Sequence, residues 1–108
     1  MSEQRSPALS KNDKLQQSVL RHFFTAQGGI THLPSQLKKR LIVLEHLAGR
    51  LDATRTYTEL EFNAILKPLN EDYATIRREL YIHKFINREN DIYEVNEPEH
   101  WRDWRTLQ

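Results

Sequence analysis

Two arginines stand side by side at Arg77 and Arg78, inside the stretch DYATIRRELYIHKF from Asp72 to Phe85. A guanidinium offers five N–H donors in a rigid fork that fits a phosphate or the outer edge of guanine. Adjacent arginines on an outward helix face are therefore suited to holding nucleic acid, with Tyr73, Ala74 and Thr75 on the turn before them as further contacts. A second cationic group, Lys38, Lys39 and Arg40, could add phosphate contacts that position a duplex without reading it. Thr31 and His32 lie just before that group. The plainer reading of either group is a solvated or internally paired charged face. Arg78 is one residue from Glu79 and seven from Glu71, so neither acid offers it the helical four-residue spacing. Arg77 could instead turn toward the rings of Tyr73 or Tyr81.

Other reactive residue types do not assemble. The histidines, His22, His32, His46, His83 and His100, form no HxxxH or HxxEH pattern, and the chain has no cysteine to complete a zinc set. There is no glycine-rich phosphate loop, no GxSxG and no thiol nucleophile. No metal, no cofactor and no enzymatic activity are expected. Trp101 and Trp104, in EHWRDWRTL, share a helical side with Leu107. They would either dock on their own domain or form a homodimer or partner surface, since Trp and Arg are enriched at binding hot spots.

The composition bounds the class. A chain of 108 residues, 38% hydrophobic and 29% charged, is read as one ordinary soluble globular domain. The absence of cysteine and of any apolar run near membrane-spanning length points to a cytoplasmic location with no membrane. The N-terminus lacks the apolar stretch of a secretory signal. The net charge is only +1, but it is unevenly placed. Five basic residues lie between Gln36 and Arg55, and five acids with no Lys or Arg lie between Glu89 and Glu99.

The elements that must carry these residues can be read from periodicity and caps. Residues 1–11, with Ser6-Pro7, are expected to be a flexible tail, and residues 12–108 a single domain. Leu15, Val19, Leu20, Phe23 and Phe24 predict a helix from Asn12 to Gln27, stopped by Gly28-Gly29. Leu37, Leu41, Leu44, Leu47, Ala48 and Leu51 predict a second, capped by Ser35, with Lys38, Lys39 and Arg40 in its first turns, where the helix dipole disfavours cations. Arg55 to Tyr57 reads as extended. Thr58 and Glu61 form a capping box, flanked by Tyr57 and Phe62 as a hydrophobic staple, and Pro68 ends that helix. Asn70 is expected to cap the next helix, whose Tyr73, Ile76 and Leu80 face inward while Thr75, Arg78, Glu79 and Ala74 face outward. Phe85 to Arg88 and Ile92 to Val95 read as a hairpin around Glu89-Asn90-Asp91. The expected fold is mainly α with a small β-hairpin, α+β, as a winged helix-turn-helix with an extra N-terminal helix and a C-terminal helix carrying the tryptophans.

The stretches FFTAQGGITHLP, KKRLIVLEHLA, YTELEFNAIL and above all DYATIRREL, from about Phe23 to Tyr93, carry a likeness to known proteins. Together they resemble a bacterial family known as domain of unknown function 2087. The resemblance implies a small winged-helix-like domain, alone or fused to helix-turn-helix regulators, and hence a transcription-related role. Two positions depart from the family pattern. It has Gly after the last helix where this chain has Lys84, and Gly in the wing turn where this chain has Asn90-Asp91.

Two functions follow. The first is a non-enzymatic domain that binds double-stranded DNA through the Asp72 to His83 helix. The second is an interaction module of the same fold, using its acidic wing and Trp101 and Trp104. Wing acids Glu89, Asp91 and Glu94 would be repelled by a phosphate backbone, which weighs on the side of the second.

Overall fold

The computed structural model describes residues 10–107. Helix α1 spans Lys11–Phe23 and opens on a capping box in which the Ser10 hydroxyl accepts from the Asp13 amide and Asp13 reaches back. Positions 1–9 of the expected tail lie outside the described residues, whereas Ser10 and Lys11 belong to the helix start. The helix stops at Phe23, four residues before the expected end at Gln27. Phe24 is extended and bridges to Ile30, and the Thr25 to Gly29 turn is closed by Thr25 N–H donating to Gly29 at 2.8 Å. Gly28, at φ 87°, serves that turn rather than a helix stop.

Helix α2 covers Leu37–Ala48 and buries Leu41, Ile42, Val43, Leu44, Leu47 and Ala48. Ile42 and Val43 fall outside the single apolar stripe of the sequence, yet both are fully enclosed. The cause is that α2 is the central helix, packed against α1, the later helix Tyr73–Ile82 and the C-terminal segment. Ser35 does not cap it. The N-cap is Gln36, without a side-chain bond, and the Ser35 carbonyl instead accepts from Arg40 at 2.9 Å.

Strand β1, Thr56–Thr58, leads into α3, Glu59–Leu66, through the expected capping box. Glu61 N–H donates to the Thr58 hydroxyl at 3.1 Å, and Thr58 N–H donates to the Glu61 carboxylate at 2.9 Å. Tyr57 and Phe62 meet as the staple predicts, with ring centroids 5.6 Å apart. Helix α4 covers Tyr73–Ile82. Asn70 does not cap it; the N-cap is Asp72, again without a side-chain bond. Asn70 ties loops together instead, donating to the Ile30 carbonyl at 2.7 Å and accepting from Asp72 N–H at 2.7 Å.

The exit from α4 satisfies the last carbonyls of the helix. Lys84, at φ 70°, takes the left-handed position; its N–H donates to Tyr81 and the Phe85 N–H to Leu80. Strands β2, Ile86–Glu89, and β3, Ile92–Val95, then form the hairpin. Asn90 and Asp91 both have positive φ, 52° and 64°, as a two-residue turn between right-twisted strands requires. The hairpin is part of a three-stranded antiparallel sheet in the order β1-β3-β2, because Thr56 to Thr58 pairs with Glu94 to Ile92. The fold is α+β.

After Val95 the sequence expectation fails. There is no C-terminal α-helix among the described residues, only two single 3-10 turns, Pro98–His100 and Trp104–Thr106. Pro98 and the extended Trp101 and Asp103 interrupt the helical spacing that the two tryptophans suggest. Trp104 still finds the core. Its indole is buried, donates to Glu45 at 3.3 Å and lies under the Arg105 guanidinium at 4.4 Å.

Candidate nucleic-acid interface

Helix α4 is held from both sides. Ile76 and Leu80 enter the core, while Tyr73 is half-buried with the Lys67 ammonium 5.4 Å from its ring centre. Ala74, Arg78 and Tyr81, at four- and three-residue steps, are exposed along one face. Thr75 is half-buried and shares a shallow cleft with the loop at Leu33 to Ser35. Glu79, expected to face outward, does not: its carboxylate lies 2.8 Å from Arg40 Nε on α2 and 3.4 Å from His83 Nε2. Burial holds the His83 imidazole below its ordinary range, with Glu79 opposing that shift and Arg102 and Arg40 adding to it.

Arg77 and Arg78 share one cleft of about 440 Å³ with Glu59 of α3, Tyr81 of α4, and Arg88 and Tyr93 of the hairpin. Among the described residues Arg77 turns neither to Tyr73 nor to an acid; it donates to the Asn63 side chain on α3. Arg78 is exposed and has no ion-pair partner among the described residues. Arg88 pairs with Asp91 at 2.6 Å and stands 3.9 Å from Glu59, and the Asp91 bond raises its already high pKa. The Tyr93 hydroxyl donates to Glu59 at 3.0 Å, and burial together with that bond pushes its pKa up. Three guanidiniums and one carboxylate thus line the cleft, and of the three Arg88 is the one that approaches that carboxylate.

The second cationic group is not brought to this cleft. Lys38 Nζ donates to the Leu107 carbonyl at 3.4 Å, tying down the C-terminal segment. Arg40 is occupied by Glu79 and by the carbonyls of Pro34 and Ser35. Among the described residues no side-chain hydrogen bond or ion pair engages Lys39 or links it to α4. Arg40 is therefore a structural tether. Of the two readings of the tryptophan pair, the structure has the one in which they dock on their own domain: Trp104 is 1% exposed, and Trp101 packs on Phe85 with ring centroids 5.3 Å apart.

Sequence reasoning missed Arg88 as a partner of Arg77 and Arg78. The signal was in the hairpin: two strands joined by a two-residue turn fix which face Arg88 shares with Tyr93, its register partner. It also missed that Glu97, Glu99 and His100, all exposed, place ligating atoms within 4.8 Å of one another, an arrangement common without any ion. No helix of the described residues is long and apolar enough to cross a membrane.

Neither a curated protein nor a solved structure matches this chain. A family model does, over residues 29–95, from the glycine turn before α2 to the end of the hairpin. That span holds α2, β1, α3, α4 and both hairpin strands, which is more than half of the chain. The chain belongs to the domain of unknown function 2087 family, described as an uncharacterized protein conserved in bacteria.

Proposed function

We propose that this chain is a winged-helix domain that binds double-stranded DNA, serving in the cytoplasm as a transcription regulator or regulator accessory without catalytic activity. The observation that carries the reading is the convergence of Arg77, Arg78 and Arg88 on one cleft beside the exposed face of α4. Support also comes from element order. From α2 onward the chain runs helix, strand, helix, helix, strand, strand, with the first strand pairing to the last. In a winged helix-turn-helix the third helix of that series enters the major groove, and here it is α4. Ala74 on its outward face would let the backbone approach the bases closely. Arg78 would reach a base edge or a phosphate, and Arg77 and Arg88 would hold the phosphates alongside. Thr75 and Tyr73 would flank the contact, while Lys38 and Arg40 would stay with the fold.

The acids at the hairpin tip set a limit on the footprint. Arg88 is engaged by Asp91, and Glu89 and Glu94 are exposed. The wing tip would therefore be turned away from the backbone, leaving α4 and the cleft to supply the affinity.

Fluorescence anisotropy of a labelled random-sequence duplex tests this. Binding should weaken with salt, and the Arg77→Ala, Arg78→Ala variant should both bind more weakly and lose about 2 from the slope of log affinity against log salt. No binding by the folded protein at low salt would refute the reading, and binding unchanged in the variant would refute the site.

A further inference from the structure

We infer that Glu59 is the affinity-determining residue of the arginine cleft: its carboxylate occupies the place of an anion there, and a DNA phosphate must displace it. The inference rests on the DNA-binding reading and concerns how that same cleft is set.

Glu59 is the first residue of α3, held by the capping box of Thr58 and Glu61. Its side chain, 44% exposed, lines the cleft together with Arg77, Arg78 and Arg88. Two contacts hold it there. Tyr93, whose ring is buried and stacked on Phe62 at 5.0 Å and 10°, donates its hydroxyl to Glu59 Oε1 at 3.0 Å. The same oxygen lies 3.9 Å from Arg88 Nη2. Neither contact is needed for the cap, because Glu61 and Thr58 already satisfy it.

The arrangement is that of an anion site filled from within. A hydroxyl donor and a guanidinium converge on one carboxylate oxygen, and two further guanidiniums line the same walls. A phosphate oxygen asks for the same donors. An arriving phosphate meets a fixed negative charge in its own place, which lowers affinity for every sequence alike. Glu59 thus keeps non-specific binding weak, and it leaves discrimination to the outward residues of α4.

The test compares Glu59→Gln with a charge-matched control, Glu97→Gln, in the C-terminal segment outside the cleft. Glutamine keeps an acceptor for the Tyr93 hydroxyl and the same length, so the fold is retained, which a thermal melt checks. The labelled random duplex is titrated with the unaltered chain and with each variant at low and moderate salt. Removing one charge a few ångströms from a phosphate should tighten binding by on the order of fivefold at low salt, and by less as salt rises. Tightening by Glu59→Gln well beyond that of Glu97→Gln supports the inference. Arginine-dependent binding that the two variants change equally, or not at all, overturns it and leaves the DNA-binding reading standing. Absence of binding in the unaltered chain and in Glu59→Gln removes both.

Discussion

Arg40→Ala takes away the cation that joins α2 to α4. Arg40 Nε lies 2.8 Å from Glu79 Oε1, with the two side chains 24% and 16% exposed. The guanidinium also donates to the carbonyls of Pro34 and Ser35 at 3.3 and 2.9 Å, so the loop before α2 loses its anchor as well. Breaking a fully buried pair by removing one partner costs roughly 3–5 kcal/mol, whereas an exposed pair contributes about 0–1 kcal/mol. This pair lies between those limits, and its two facing atoms meet as charges without hydrogen-bond alignment. We expect a loss of about 2 kcal/mol near neutral pH, or ~8 °C or more in Tm for a domain of this size.

The loss should shrink in acid. His83, buried beside Glu79, is held below its ordinary pKa of 6.5 by burial first, and Arg40 adds to the depression. In the unaltered protein the native ring stays neutral while the unfolded ring takes up a proton. Stability is therefore full above about 6.5 and falls as pH drops toward the native value. Without Arg40 the native ring binds its proton more readily, and it then supplies Glu79 with a cation from 3.4 Å away. Urea unfolding of both proteins on either side of that pH measures the effect. A penalty below about 0.5 kcal/mol, or one that does not change with pH, would refute the assigned ion cluster. DNA affinity per folded molecule should be unaltered by this substitution, which separates Arg40 from Arg77 and Arg78.

Trp104→Ala should cost roughly 3–5 kcal/mol, since a buried indole leaves a cavity between α2 and the C-terminal segment, and urea unfolding checks it. Trp101→Ala, at a half-buried position, should cost clearly less; equal costs would contradict the packing described. Lys84→Gly should raise stability by about 0.5–1 kcal/mol, because a left-handed residue at φ 70° is strained with a Cβ and relaxed without one. A lower melting temperature in that variant would mean that the helix does not end in the conformation described.

Local rules in the sequence were enough for several features. The Thr58–Glu61 box and the Tyr57–Phe62 staple depend on residues three to five apart, so their geometry follows from spacing alone. The hairpin turn is likewise local, because Asn and Asp tolerate positive φ. Up to Val95, helix and strand order followed from periodicity, because a stripe of apolar residues selects its own period.

Tertiary structure decided what lies across elements. Periodicity shows that α2 has an apolar stripe but not that helices cover it on several sides, so the burial of Ile42 and Val43 was hidden. Spacing along one helix placed Glu79 outward, but the turn of α4 against α2 brings it to Arg40, a residue 39 positions away. The same long-range packing withdrew Lys38 and Arg40 from a cationic patch and buried Trp104 under a chain that is not helical. It also joined Arg88 to Arg77 and Arg78 around Glu59. An isolated charge carries no mark of its partner in the sequence, because an ion pair is set by distance in space, and only the packed chain fixes that distance.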